Sequence, residues 1–472
     1  MARSDLYAKN WSENVTYTSD IVLFPNNTPE LQRIIKDVRY AKLKVIGTRH
    51  CFNTIADTGH NTDLETGETA HICLENMTLT YFDKVVIGGE EDLGLQPVVT
   101  FGAGMTYSKL IDIVDAEGFA IQNLPSLPHI NVVGSMITGT HGSGHKYQIL
   151  TTQVVAFDMV FANGKLESLS KPTTPDFTNY LINFGGLGVI TSMTIKLVPT
   201  FMVSKSIYKN LKWDILFDKN YFDNIMHHQD FLSCFCTWKT REMSSVWVGK
   251  KYYEGDPLPV KEIEYFGAKH ITGNRIHPVP GRDSSVNVTT GVGKWRDKIY
   301  HFLPDKPPSS AGNEIQTEFF VPYEHFINAM EALYLIKDKF QHLVQVSEFR
   351  MVLEDNLPMS PAKHQTCIGI HFTWWREHDK ILSVLPLIES TLSKFNVKPH
   401  FGKLFQMSGP KFENLYGSDL DKLRALCYKH DPTGKFRNNF MEKYIFTSRY
   451  GKMTTEEEAV LCKKHFPIIS KL

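Results

Sequence analysis

The chain has 472 residues, 51 basic and 51 acidic side chains, and 42% hydrophobic residues. That length suits roughly two or three domains, and ordinary apolar, Gly and Pro contents speak against disorder, collagen and coiled coil. Zero formal charge speaks against a general nucleic-acid or anionic-membrane binder, and no apolar run approaches the ~18 residues of a membrane span.

The first residues carry no apolar segment of the kind a secretory signal needs. Asn-x-Ser/Thr triplets such as those at Asn10, Asn14, Asn76 and Asn287 therefore carry little weight. Thr28-Pro29 reads as the cap and first position of a helix, with Leu31, Ile34, Ile35 and Val38 on one stripe. Lys44 to Ile46 is a short strand broken at Gly47. Val98 to Phe101 is a strand, and Ser108 to Glu117 an amphipathic helix stopped by Gly118. Ala156 to Phe161 and Lys165 to Leu169 flank the hairpin signal Asn163-Gly164. Residues 189–197 alternate as a strand should, ending at Pro199. Near residue 200 aromatics and loop signals increase, which marks a domain boundary. Pro322 to Phe340 reads as a long helix. Two strands follow, Leu343 to Leu353 and Thr366 to Trp375, and then a helix over Lys380 to Phe395 that Pro386 should kink. The chain ends Ser470-Lys471-Leu472, a peroxisomal address read by an import receptor.

Three glycine clusters could bring backbone N–H groups close to phosphates. They are Gly47-Thr48-Arg49-His50, the run from Gly134 through Thr138, Gly139, Thr140 and His141 to His145, and Gly185 to Gly188. None is a Walker or dinucleotide fingerprint, and each taken alone is more often a plain turn. In the strand after Leu343, Glu348 and Arg350 share one face; in the next, His371 and Thr373 do. A plain salt bridge and a polar floor for a polyhydroxylated ligand both fit the first pair. His141 and His145 lack a third metal ligand nearby. Cys234 and Cys236 have the wrong spacing for CxxC chemistry and read as core. The seven cysteines read as free thiols.

These motifs, with Asn123 to His129, Gly185 to Ile190, Ser347 to Arg350, Pro399 to Lys403 and Asp431 to Asn438, resemble in order and spacing the vanillyl-alcohol oxidase superfamily of flavin oxidases. The nearest likeness is to the alditol oxidases, with the aldonolactone oxidases next. The resemblance implies an α+β fold. A two-lobed PCMH-type FAD-binding domain would span residues 1–200 and a cap on a mixed or antiparallel sheet 201–425. A segment at 426–472 would pack back near the FAD domain. It implies FAD joined covalently through His50, with one link only, although Cys51 stands where a Ser is expected. Residues 60–70 look longer than the family's loop.

By the same likeness Gly47, Thr48, Arg49, His50, Asn53, Ser126, Asn131, Gly134, Thr138, Gly139, Thr140, His141, Val189, Ile190 and His400 bind the cofactor. Ser126, Glu348, Arg350, Thr373 and Lys403 hold the substrate. His371, Lys403, Arg350 and Glu348 carry the chemistry, with His371 or Lys403 as the base. Pro125 implies open oxygen access, hence an oxidase that releases hydrogen peroxide. The expected partners are a polyol or sugar lactone and molecular oxygen, with no nucleic acid, metal or membrane span. A flavin-carrying sugar-binding protein without turnover is the reading from another class.

Overall fold

The computed structural model describes residues 6–59, 67–86, 95–260, 262–271, 273–307, 310, 312–448 and 451–452. The Ser470-Lys471-Leu472 tripeptide and most of the 60–70 loop lie outside the described residues. No described helix is long and apolar enough to cross a membrane.

Among the described residues two main sheets build the first 200, beside a two-stranded pairing of Phe119–Ala120 with Val198–Pro199. A small parallel one orders Val22–Leu23, Glu68–Cys73 and Tyr40–Ile46. The other is five-stranded and antiparallel, in the order Thr80–Val86, Leu95–Gly102, Gly188–Lys196, Val154–Phe161 and Leu166–Ser170. The hairpin turn forms where its sequence demands: Gly164 takes φ +76°, and Asn163 Oδ1 accepts from the Lys165 N–H at 2.8 Å.

Helix Thr28–Lys36 is capped by Asn27 rather than Thr28, because the Asn27 side chain accepts from the Glu30 N–H. Leu31 and Ile35 are fully buried, each stabilising by roughly 1.5–3 kcal/mol. Val38 falls past the helix end and is 92% exposed, so the apolar stripe stops one turn earlier than its spacing suggests. The short strand expected at 44–46 begins at Tyr40.

Residues after 200 build a ten-stranded antiparallel sheet. Four of its strands run in the order Phe231–Cys236, Val344–Val352, Cys367–Trp374 and Ile315–Pro322, with the short Lys398–Pro399 at the edge beyond. The long helix expected from Pro322 is shorter: Ile315–Pro322 is a strand and the α-helix spans only Phe326–Leu335. Apolar Ile336 and Phe340 belong to the turn that delivers the chain into the strand at Val344, a case that periodicity alone cannot separate from helix. The helix His378–Leu392 runs through Pro386 unbroken. Cys234 and Cys236 are buried in the sheet, and none of the six described cysteines is joined in a disulfide.

The segment after residue 430 packs against the first 60 residues. Asn438 Nδ2 donates to the carbonyls of Thr54, Ile55 and Asp57 at 3.2, 3.0 and 2.6 Å. Buried Lys44 donates to the carbonyls of Phe184, Gly185 and Phe436.

Candidate active site

One cavity of about 570 Å³ runs between the two halves. Its wall takes Gly47 to Phe52 from the first glycine loop, and Pro125, Ser126 and Asn131 from the segment before the second. It takes Gly134, Thr138, Thr140, His141 and Ile190 further on, and Gln316, Glu318, Arg350, His400 and Lys403 from the large sheet and its following loop. The glycine clusters and the polar strand faces, separate in sequence, thus meet on one space. Asn53, Gly139, Val189, Glu348, His371 and Thr373 do not reach the wall.

The first loop is shaped by an absent side chain. A Cβ on Gly47 would come within 2.0 Å of Asn131 Oδ1, and that oxygen accepts from the Thr48 N–H at 2.6 Å. Asn131 Nδ2 donates to the Gly104 carbonyl at 3.1 Å. Arg49 then adopts φ +61°, and its guanidinium donates to the Lys9 carbonyl and packs on the Tyr7 ring. His50 follows, stacked on Trp11 with ring centroids 4.7 Å apart. Neither ring nitrogen of His50 has a partner. Burial, then the nearby His129 ring, pushes its pKa down to about 3, so the imidazole is neutral and keeps a free lone pair. Burial pushes the adjacent Cys51 thiol up to about 12, which leaves it protonated and weakly nucleophilic. Asn53 spends its amide on the Phe401 and Lys403 carbonyls, at 2.7 and 2.6 Å. It therefore holds the loop that carries Lys403 rather than facing the cavity.

A flavin fits this half. Gly134 lines the cavity, and a Cβ there would meet only Asn131 Cβ at 3.9 Å. A larger residue would therefore fill space that a cofactor needs. The unpartnered His50 nitrogens are the orphaned buried polar atoms that a bound group would satisfy.

On the sheet side the register carries the argument. Glu348 lies opposite His371, and His371 opposite Glu318, so these three form one row across three strands. Arg350 shares that face. Its Nε lies 3.3 Å from Glu348 Oε1, both side chains are 6% exposed, and neither atom has a hydrogen-bond partner. His301, from a loop, stands 3.7 Å from Glu348 and contacts Ser233 at 3.3 Å. Burial holds His371 well below the usual imidazole range, and both its ring nitrogens are unpartnered. His400 Nδ1 accepts from the Gly402 N–H. Burial, then the Lys403 charge, pushes His400 down to about 3, so its proton sits on Nε2.

Two residues escape the sequence reading. Glu318 is 1% exposed and bonds both His141, at 2.9 Å, and Lys403, at 2.6 Å. The alternation of Gln316 and Glu318 with buried Phe319 and Val321 is the signal that could have found it. His301 has no such pattern. Among the described residues no cluster of three His, Cys, Asp or Glu could hold a metal ion.

Comparison with known proteins adds sequence and fold relatives. The FAD binding domain family matches residues 19–170 and the D-arabinono-1,4-lactone oxidase family matches residues 313–444. Alditol oxidase of a Streptomyces species is 31% identical over 440 residues, 92% of this chain and 98% of that protein. L-gulonolactone oxidase of Scyliorhinus torazame is 22% identical over 93% of this chain and 98% of that one. Among solved structures, cholesterol oxidase from B. sterolicum superposes with TM-score 0.71 at 15% identity, covering 93% of this chain and 96% of that one. A VAO-type flavoprotein from Myceliophthora thermophila C1 gives TM-score 0.62 at 13% identity, covering 88% and 78%.

Proposed function

Because the chain belongs to the FAD-dependent oxidase family that joins alditol oxidase to the aldonolactone oxidases, we propose that it oxidises a carbinol carbon of a polyol. FAD, when bound, supplies the oxidising ring, taking hydride from carbon and passing two electrons to oxygen to give hydrogen peroxide. We place its attachment at His50, whose free, neutral imidazole is the nucleophile such a bond needs.

The observation that carries the reading is the opposite wall of the same cavity, where Arg350 and Lys403 present cations. Both can donate to the substrate oxygen as charge develops on it. Glu348 Oε1 lies 3.3 Å from Arg350 Nε and offsets its charge as a buried ion pair. Ser126 and Gln316, also on the wall, pair other hydroxyls, and Thr373, opposite Val346 in the sheet, supports that face. The alcohol proton has a neutral acceptor in His371, in the row behind the wall; Lys403, as an ammonium, donates and cannot take it. Burying this many polar groups makes the site reject deoxy analogues, which would leave them unpaired.

The test is oxygen uptake on a panel of alditols and aldono-1,4-lactones, with anaerobic bleaching of the flavin as a second readout. Xylitol or sorbitol should exceed the lactones. The reverse order would favour a lactone substrate, a reading that the match of residues 313–444 to the D-arabinono-1,4-lactone oxidase family supports. Absence of bleaching with every compound would leave a sugar-binding flavoprotein.

A further inference from the structure

Glu318 lies on the Ile315–Pro322 strand, opposite His371, with a carboxylate sealed from water. Its surroundings fix where protons must be. His141 Nδ1 is 2.8 Å from the Gly142 carbonyl oxygen. A carbonyl only accepts, so Nδ1 carries a hydrogen. The other ring nitrogen, Nε2, is 2.9 Å from Glu318 Oε1. A neutral ring would show only a lone pair there, and a carboxylate oxygen would repel it. One further proton is therefore shared across that contact. The second oxygen, Oε2, takes the Lys403 ammonium at 2.6 Å.

The backbone makes room for this arrangement. Gly369 sits on the neighbouring strand, and a Cβ there would come within 2.6 Å of Glu318 Oε1 and 3.6 Å of His141 Cε1. The groups facing the carboxylate from the packed elements are Lys403, His141 and His371, with Arg350, Glu348, Glu314 and His400 facing Lys403 and its neighbours; burial pulls the His141 pKa down and the Glu318 charge works against that pull. Arg350 offsets Glu348, while His371 and His400 are neutral through burial.

We propose that Glu318 is a positioning residue that keeps Lys403 an ammonium at the cavity wall and holds a proton against His141, so that Lys403 acts as a donor to the substrate oxygen. This rests on the oxidase reading above and deepens it. Burial pulls the Lys403 pKa down, and the Glu318 charge works against that pull. Removing the charge should therefore release the proton at lower pH.

Glu318→Gln tests this without disturbing the bonds. Its carboxamide oxygen can still accept from Lys403, and its NH2 can donate to a neutral His141 Nε2. The readout is competitive acetylation of the holoenzyme with acetic anhydride across pH, followed by mass spectrometry of the Lys403 peptide. No turnover is needed for it. The Lys403 midpoint should fall by at least one pH unit in E318Q, so labelling at a pH below both midpoints rises tenfold or more relative to the parent. The pH limb of kcat/KM on a polyol should move the same way. Should E318Q not fold, Gly369→Ala serves, because its methyl forces the carboxylate off His141 while the charge remains; a smaller downward shift is expected. An unchanged Lys403 midpoint in whichever variants fold overturns the proposal. A parent that oxidises no polyol or lactone sinks the functional reading instead and leaves the labelling result to judge Glu318.

Discussion

Replacing Gly47 by Ala should damage the loop that presents His50, through Asn131 alone. The added methyl would sit 2.0 Å from Asn131 Oδ1 and 2.8 Å from its Cγ, so the carboxamide must leave its place. Gly47 is not in the left-handed region, so alanine adopts its backbone without strain. What is lost is the Thr48 N–H bond at 2.6 Å and the bond to Gly104 at 3.1 Å. Each is worth about 1 kcal/mol net, and a peptide group left dry adds about 1–3 kcal/mol, for a total of about 3–5 kcal/mol. Asn131→Ala forfeits the same two bonds and should cost a similar amount. The double variant has nothing further to lose, so it should lie within about 0.5 kcal/mol of Asn131→Ala. Urea unfolding followed by tryptophan fluorescence gives all three values, and flavin retained after gel filtration reports the loop itself. Additive costs in the double variant would refute the argument, because they would mean that the methyl injures something other than the Asn131 latch.

His50→Ala should leave the fold intact and give a colourless pellet on acid precipitation, where the parent pellet stays yellow; a yellow variant pellet would move the link elsewhere. Glu348→Gln and Arg350→Lys should each lower turnover on polyols by well over tenfold, read as oxygen uptake, and Glu348→Gln should cost about 3–5 kcal/mol of stability because it strands a buried cation. Near-normal turnover in both would mean that this strand face does not serve the substrate. Lys205, fully buried beneath Trp247 and bonded to the Lys298 and Tyr300 carbonyls, has its pKa pushed by burial down to about 7, below the unfolded value of about 10.4. A depressed pKa means the unfolded chain binds the extra proton between those limits, so the parent should gain stability over Lys205→Met as pH rises from about 7 to 10. A stability difference that stays flat over that range in paired urea titrations would contradict this.

The polar strand faces were legible because period-two alternation alone fixes which residues share a side: Glu348 with Arg350, His371 with Thr373. Which strand lay next to them was not, and it is the Ile315–Pro322 strand that completes the row. Its neighbourhood ends in Pro322, a residue as ready to start a helix as to finish a strand, and the apolar spacing that follows favours the helix. Glu318 was invisible for a deeper reason. Its meaning depends on His141 and Lys403, 177 and 85 residues away, and no local pattern encodes such distances. The glycine loops were readable as backbone needing close approach, yet Gly47 shows that the thing approached is a neighbouring Asn131 as much as any ligand. Asn53 illustrates the converse: it stands in a loop that faces the cavity and works on the loop behind it.

The three carbonyls that Asn438 gathers from Thr54, Ile55 and Asp57 have a consequence for biogenesis. The turn just after His50 is finished only by a side chain that the ribosome adds almost four hundred residues later. Flavin loading should therefore be weak until translation has passed that point. A nascent chain arrested before it should bind the dinucleotide poorly, however well its own amino-terminal sheets have formed.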